Sequence, residues 1–191
     1  MKWPYIAIIV YGLIIHLHAQ GDIIFFSESS DSTYYDPSWG FQSGGSYLER
    51  SGPGLDKFPI DTKHPYLGYH SLRLHWQSVN GGDWGIAVAS PGWPGHDLTS
   101  YDSIIYWINA PQSVIQYDLP AMELEDTSNK HSTRIWIGDY FGGVDGDSLS
   151  WQRVVIPINA FSPGPQNCNF SRIKTIFHYQ QNPDGIAHKV W

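Results

Sequence analysis

Cysteine is nearly absent: Cys168 is the only one in 191 residues. Internal disulfides are therefore excluded, and the chain must be held by an aromatic core or a bound ion. Cys168 itself lies in the loop-like "GPQNCNF", where it reads as a half-buried small residue and not as a reactive thiol. Positive charge is scarce as well. Eleven Lys and Arg stand against 18 Asp and Glu, a formal net charge of −7, with no basic run. Phosphate binding needs basic clusters, so nucleic acid is excluded as a partner. No segment carries an apolar stripe at helical spacing over three turns, which speaks against a helical bundle. Gly-x-Ser-x-Gly is missing, and the nine His show no metal-ligand spacing such as His-x-x-x-His. What remains is 15% aromatic and only 15% charged, with Ser, Asn, Gln and Gly carrying the polar share. Such a surface suits uncharged polar ligands.

The first twenty residues, "MKWPYIAIIVYGLIIHLHAQ", differ in kind from the rest. Lys2 supplies a short positive start, Tyr5 to Ile15 an apolar run, and Ala19 a cleavage position. The run is short of the roughly 20 apolar residues needed to span a bilayer. Residues 1–19 therefore read as a signal peptide of a secreted or cell-surface protein, with no membrane span once it is removed. Residues 20–191 read as one domain, long enough for its own core. The closing "GIAHKVW" reads as the start of a strand, so the chain is expected to be fused to further domains in a longer protein.

A period of two recurs in short segments separated by Gly, Pro, Asn and Asp. "SLRLHW" puts Leu72, Leu74 and Trp76 on one face. "DSIIYWINA" alternates Ile104, Tyr106 and Ile108 against Ile105, Trp107 and Asn109. "AMELED" sets Met122 and Leu124 against Glu123 and Glu125, and "STRIWIGDY" sets Ile135 and Ile137 against Arg134 and Trp136. "RIKTIFHYQQ" sets Thr175, Phe177 and Tyr179 against Ile176, His178 and Gln180. Many short strands between turns predict an all-β fold, a jelly-roll β-sandwich of two antiparallel sheets. The stretch "SESSDSTYYDPSWGFQSGGS" reads as a loose wrapping at the sandwich edge.

The polar faces of these strands mix indoles with carboxylates, a guanidinium and amides. Trp107, Asn109, Glu123, Glu125, Arg134, Trp136, His178 and Gln180 all lie opposite apolar positions. An aromatic face packs on the C–H side of a sugar ring, while the polar groups partner its hydroxyls. The expectation is a polysaccharide or oligosaccharide bound on that face. The competing expectation is that Trp107 and Trp136 belong to a second core. In "DWGIAVASPGWPG", Trp84 shares a face with Ile86 and Val88 and reads as core, while Trp93, held between Pro91 and Pro94, reads as a rim residue of the site.

The order "HPYLGYHSLRLHW", "DLTSYDSIIYWINA", "MELED", "WQRVVIPINAF" and "RIKTIFHYQ" resembles the carbohydrate-binding modules of the galactose-binding-like jelly-roll superfamily, family 11 and family 4 types. The resemblance rests on Gly68 to Leu74, Trp151 to Pro157 and Arg172 to Ile176. It implies a non-catalytic module for a β-glucan or related polysaccharide, appended to a hydrolase or surface protein. It also implies a structural calcium held by an acid of the first strand and carbonyls of the Gly68-x-x-Ser71 turn, with Glu28 and Asp31 as the acids here. Oxygen donors suit that ion.

Two other classes stay open. A jelly-roll glycosidase needs two carboxylates, and Glu123 and Glu125 lie about 6.6 Å apart along one strand, near the roughly 6.5 Å lower bound for an inverting pair. Such pairs normally flank the scissile bond from opposite walls, whereas neighbours on one strand face the same side of a sugar. A structural or protein-interaction sandwich would not need the aromatic polar face.

Overall fold

The computed structural model describes residues 21–146 and 150–191. The leader assignment, residues 1–19, lies outside the described residues. The strands in chain order are β1 (Tyr34–Tyr35), β2 (Ser38–Ser43), β3 (Tyr47–Leu48), β4 (Phe58–Asp61) and β5 (Ser71–Leu72). They continue with β6 (Leu74–Gln77), β7 (Asp83–Ala89), β8 (Ser103–Ile108), β9 (Val114–Ile115) and β10 (Ala121–Asp126). The last five are β11 (Ile135–Trp136), β12 (Gly143–Val144), β13 (Gln152–Pro157), β14 (Ile173–Tyr179) and β15 (Ala187–Val190). Among the described residues the helical turns are all of the 3-10 type, so the chain is all-β, as the period of two predicts.

One antiparallel sheet dominates, in the order β11-β10-β14-β7-β2. The other strands form smaller sheets, β8 with β13, β9 with β12, β15-β6-β3 and β1-β4-β5. The jelly roll is thus one continuous sheet faced by a layer divided among smaller sheets. β2, the sheet's edge strand, lies in the stretch expected to be a loose wrapping.

Alternation explains the core. Trp84, Ile86 and Val88 of β7 and Met122 and Leu124 of β10 point to one side of the large sheet and are buried. They meet Leu74 and Trp76 of β6 and Val154 and Ile156 of β13 in one apolar cluster. The Trp76 and Trp84 rings lie 5.8 Å apart. Trp84 is fully buried and its Nε1 donates to Ser78 Oγ at 3.0 Å, so its one polar atom is satisfied. Cys168 is buried too, and burial pushes its thiol up to about 11, which keeps it inert.

His178 belongs to this core, contrary to the expectation that it faces a ligand. It stands opposite Met122 on β10 and Ile86 on β7, both core residues. Tyr106 of β8 meets it edge-on, 6.4 Å between ring centroids. Desolvation pushes the imidazole down to about 4.

A candidate carbohydrate-binding groove

The outer side of the large sheet is built by the alternate residues. β7 contributes only Gly85, Ala87 and Ala89 there. A Cβ at Gly85 would stand 2.7 Å from the Phe41 ring and 2.8 Å from the Tyr179 ring. The small residues therefore let rings from β2 and β14 lean together across β7. Trp39 and Phe41 come from β2, Phe177 and Tyr179 from β14, in register with Ala87 and Gly85. Phe177 and Tyr179 stack with centroids 5.2 Å apart and planes 15° apart. Trp39 meets Phe177 edge-on at 6.5 Å, and Phe41 lies 6.5 Å from Tyr179.

Phe177 and Tyr179 are nearly covered, and they form a floor. Trp39 (45% exposed) and Trp93 (36% exposed) rise beside it. Together with Ala87, Glu125, His131 and Lys174 they line a groove of about 400 Å³. Trp93 adopts a left-handed backbone, φ 55°, in a turn closed by its own N–H to the Ser90 carbonyl at 3.0 Å. That conformation is uncommon for an aromatic residue, and the indole stands partly exposed at the edge of the groove.

The polar edge comes from β10 and its neighbours. Glu123 and Glu125 share the outer face with Phe177 and Thr175, their partners on β14. Arg134 Nε donates to Glu123 Oε1 at 2.7 Å, and its guanidinium lies 4.1 Å over the Tyr179 ring, a cation on an aromatic face. Thr175 Oγ1 donates to Glu125 Oε2 at 2.9 Å, and Lys174 Nζ lies 3.4 Å from the same oxygen. His131 bridges the two acids, Nδ1 at 3.1 Å from Glu123 and Nε2 at 3.8 Å from Glu125. Both carboxylates are therefore engaged by cations and hydrogen-bond donors. This arrangement fixes the carboxylate oxygens at the groove's edge, and burial together with the Glu123 charge raises the Tyr179 phenol, so it stays a neutral donor.

Several residues expected on this face lie elsewhere. Trp107 is on β8, whose alternate residue Tyr106 faces the core, so its indole points out from the opposite layer. There it stacks on Tyr66 at 4.5 Å, with Trp151 edge-on to Tyr66 at 5.6 Å. Asn109 is buried and exchanges main-chain hydrogen bonds with Trp191 at 2.8 and 3.0 Å. Gln180 has spent its amide: Nε2 donates to the Val79 and Gly82 carbonyls, and Oε1 accepts from Ser46 Oγ at 2.6 Å. These are loop clamps. Trp136 does share the outer face through its pairing with Ala121. It lies at the β11 edge, tilted on Tyr117 at 5.5 Å, with Nε1 donating to the Leu119 carbonyl.

Trp39, Phe41, His131, Lys174, Phe177 and Tyr179 are the groove residues that sequence reasoning missed. Trp39 and Phe41 did carry a signal, period-two aromatics in "SWGFQS". The choice of side for β14 needed the register, which pairs Ile176 with Leu124 and Phe177 with Glu123.

Glu28 and Asp31 fit a shared calcium site poorly. Glu28 does lie against the Gly68 turn, so closely that a Cβ there would come within 1.7 Å of Oε1. But Oε1 accepts from the Tyr69 N–H at 2.7 Å, and Oε2 lies 2.7 Å from His70 Nδ1. The turn offers nitrogen donors where a cation needs oxygens. Asp31 is folded onto Thr33, whose hydroxyl and N–H hold its carboxyl below the usual range.

An aromatic, polar-edged groove on the open sheet of a jelly roll is the architecture of a carbohydrate-binding module. The particular family follows from the sequence: residues 22–191 match the family described as carbohydrate binding domain 30, and the chain belongs to it. Solved structures agree on the fold. The family 30 carbohydrate-binding module of a cellulosomal cellulase of Clostridium thermocellum is similar at 23% identity and TM-score 0.65, over 84% of this chain and 89% of that one. A family 11 module of the same organism, in complex with a β-1,3-1,4-mixed-linked tetrasaccharide, is similar at 15% identity and TM-score 0.53, over 81% and 85%. A β-1,2-glucanase from Parabacteroides distasonis gives TM-score 0.74 at 17% identity, over 87% of this chain. The chain spans only 23% of that glucanase's length. No curated protein matches the sequence.

Proposed function

We propose that this domain binds a β-glucan or a related polysaccharide in the groove between Trp39 and Trp93, without cleaving it, as the binding part of a secreted protein. One observation carries the proposal. Two exposed indoles flank a floor of stacked rings, with two fixed carboxylates, an imidazole and an ammonium at hydrogen-bonding height. Sugar rings pack their C–H faces on the indoles, and their hydroxyls meet Glu125, His131, Lys174, Glu123 and Arg134. Trp136 extends the platform at the β11 edge. The solved relatives, a cellulase module and a mixed-linkage glucan complex, support a β-linked glucose polymer as ligand.

The paired carboxylates support binding over hydrolysis. Glu123 and Glu125 project from one strand on one side of any ligand, each already held by a guanidinium, ammonium or imidazole. A glycosidase pair needs one group free to donate a proton across the scissile bond. Affinity electrophoresis through gels containing soluble glucans tests the proposal, with reducing ends assayed in the same mixtures. Retardation by a β-glucan without new reducing ends is the expected result. Folded protein that no glucan retards would refute it, and new reducing ends would reassign the carboxylates to catalysis.

A further inference from the structure

We infer that Asp118, Asp184 and His188 form a binding site for a divalent transition-metal ion of the zinc type, separate from the groove and from Glu28. The three residues come from distinct segments. Asp118 ends the 3-10 turn Gln116–Asp118, Asp184 lies in the link between β14 and β15, and His188 is on β15. Their donor atoms all lie within 4.8 Å of one another. His188 Nε2 is 2.7 Å from Asp184 Oδ2 and 3.9 Å from Asp118 Oδ2. A tetrahedral ion bonded at about 2.1 Å holds its donors roughly 3.4 Å apart. The two distances bracket that spacing, so a small side-chain rotation seats an ion.

Charge balance separates this cluster from an ordinary acidic surface. The three side chains are only 9 to 13% exposed. Among the described residues, neither Asp118 nor Asp184 forms an ion pair with a Lys or Arg; His188 is their one ionic partner. Glu123 and Glu125, by contrast, have Arg134 and Lys174. Two nearly buried carboxylates facing each other without a permanent cation are costly, and a dication offsets that cost directly.

The surroundings fix the donors. Asn182 Nδ2 donates to Asp118 Oδ1 at 2.9 Å, and the Ile186 N–H donates to Asp184 Oδ1 at 3.0 Å, so the other oxygen of each acid is the one near His188. The imidazole is held 5.3 Å from the buried Trp76 ring. Outer contacts of this kind orient metal ligands. One imidazole with two carboxylates suits zinc, whereas calcium takes oxygen donors throughout. Asn182 also lines a second cleft, of about 270 Å³, with Tyr117, Trp136 and Gln181. A bound ion would therefore fix the Asp118 turn and the 180–186 link beside Trp136.

Calorimetric titration of Zn²⁺ into chelator-treated, buffer-exchanged protein tests the site with no polysaccharide present, so its outcome is independent of the glucan proposal. The expected result is one equivalent bound, and affinity at least about tenfold lower in each of the isosteric variants Asp118→Asn and Asp184→Asn. Zn²⁺ should raise the Tm of the wild type, and chelator should reverse the rise. Should the variants fail to fold, X-ray absorption at the zinc edge of the wild-type complex decides, since the site predicts a single imidazole in an otherwise oxygen shell. Absence of Zn²⁺ binding by folded wild type overturns the inference. So do undiminished binding in both variants, preference for Ca²⁺, or a zinc shell with several imidazoles.

Discussion

The two sides of the large sheet are built from the same strands and do opposite things. On the core side, β7 and β10 present Trp84, Ile86, Met122 and Leu124, and the facing layer seals them. On the outer side, the same strands present Gly85, Ala87, Glu123 and Glu125, and Phe177 and Tyr179 form a small separate apolar cluster with Ala87 and Ala121. Trp39 keeps 45% of its surface exposed there. The core side is large residues interlocked, while the outer side is small residues on β7 that let neighbouring rings tilt inward and leave an open trough. An aromatic residue is structural on one side and available to a ligand on the other, and its position in the alternation decides which.

The sharpest way to break that division is to truncate one indole on each side. Trp84→Ala removes a fully buried ring and strands Ser78 Oγ. It should cost about 3–5 kcal/mol of stability, read as a lower urea midpoint, with glucan retention lost only as the fold is lost. Trp39→Ala should do the reverse. The fold should survive with a Tm within a few degrees of wild type, while retention weakens by about 2 kcal/mol, roughly thirtyfold. Unchanged retention in a folded Trp39 variant would remove the indole from the site.

Protonation probes the core side more gently. His178 is half-buried with its Nδ1 shut off from solvent, and desolvation pushes its pKa from 6.5 to about 4. The unfolded chain therefore binds the proton more readily than the folded one below pH 6.5. The stabilising contribution is whole above that value and is lost as pH falls toward 4. At pH 5.5 the loss is about 1.4 kcal/mol. Urea midpoints at pH 7.5 and 5.5 should show it, and His178→Phe, which keeps a ring against Tyr106, should flatten this part of the slope. An unchanged slope in that variant would mean that another group carries the acid sensitivity.

His178 also marks where the sequence stopped being legible. The alternation of every major strand could be read from spacing, because burial on one face imposes a period of two: Met122 and Leu124 inward, Glu123 and Glu125 outward. Which side of β14 faced inward could not be read from spacing alone. "KTIFHYQ" offers Phe177 and Tyr179 on one side and His178 and Gln180 on the other, and hydropathy points the rings to the core. The register with β10 and β7 decides otherwise, and it is a property of strand pairing. Trp39 was hidden for a related reason. Its neighbours are Ser, Asp and Gly, which read as loop, yet an edge strand needs only a pattern that fits β7. Asn109 and Gln180 show the converse: polar side chains in strand-like positions that are spent on nearby backbone, Asn109 Oδ1 on the Ala110 N–H and Gln180 Nε2 on the Val79 and Gly82 carbonyls.

One tryptophan cannot be told from Trp39 by composition. Trp107 is 37% exposed, similar to Trp93, and it sits in an aromatic cluster with Tyr66 and Trp151. But it rises from the facing layer, on the far side of the core from the groove, and one face of its ring is stacked on Tyr66. Trp107→Ala should leave glucan retention unchanged and lower stability by about 1 kcal/mol through the lost ring contact. If retention fell as far as in Trp39→Ala, both layers would bind glucan, and exposure of an indole, not the face it occupies, would be what the ligand reads.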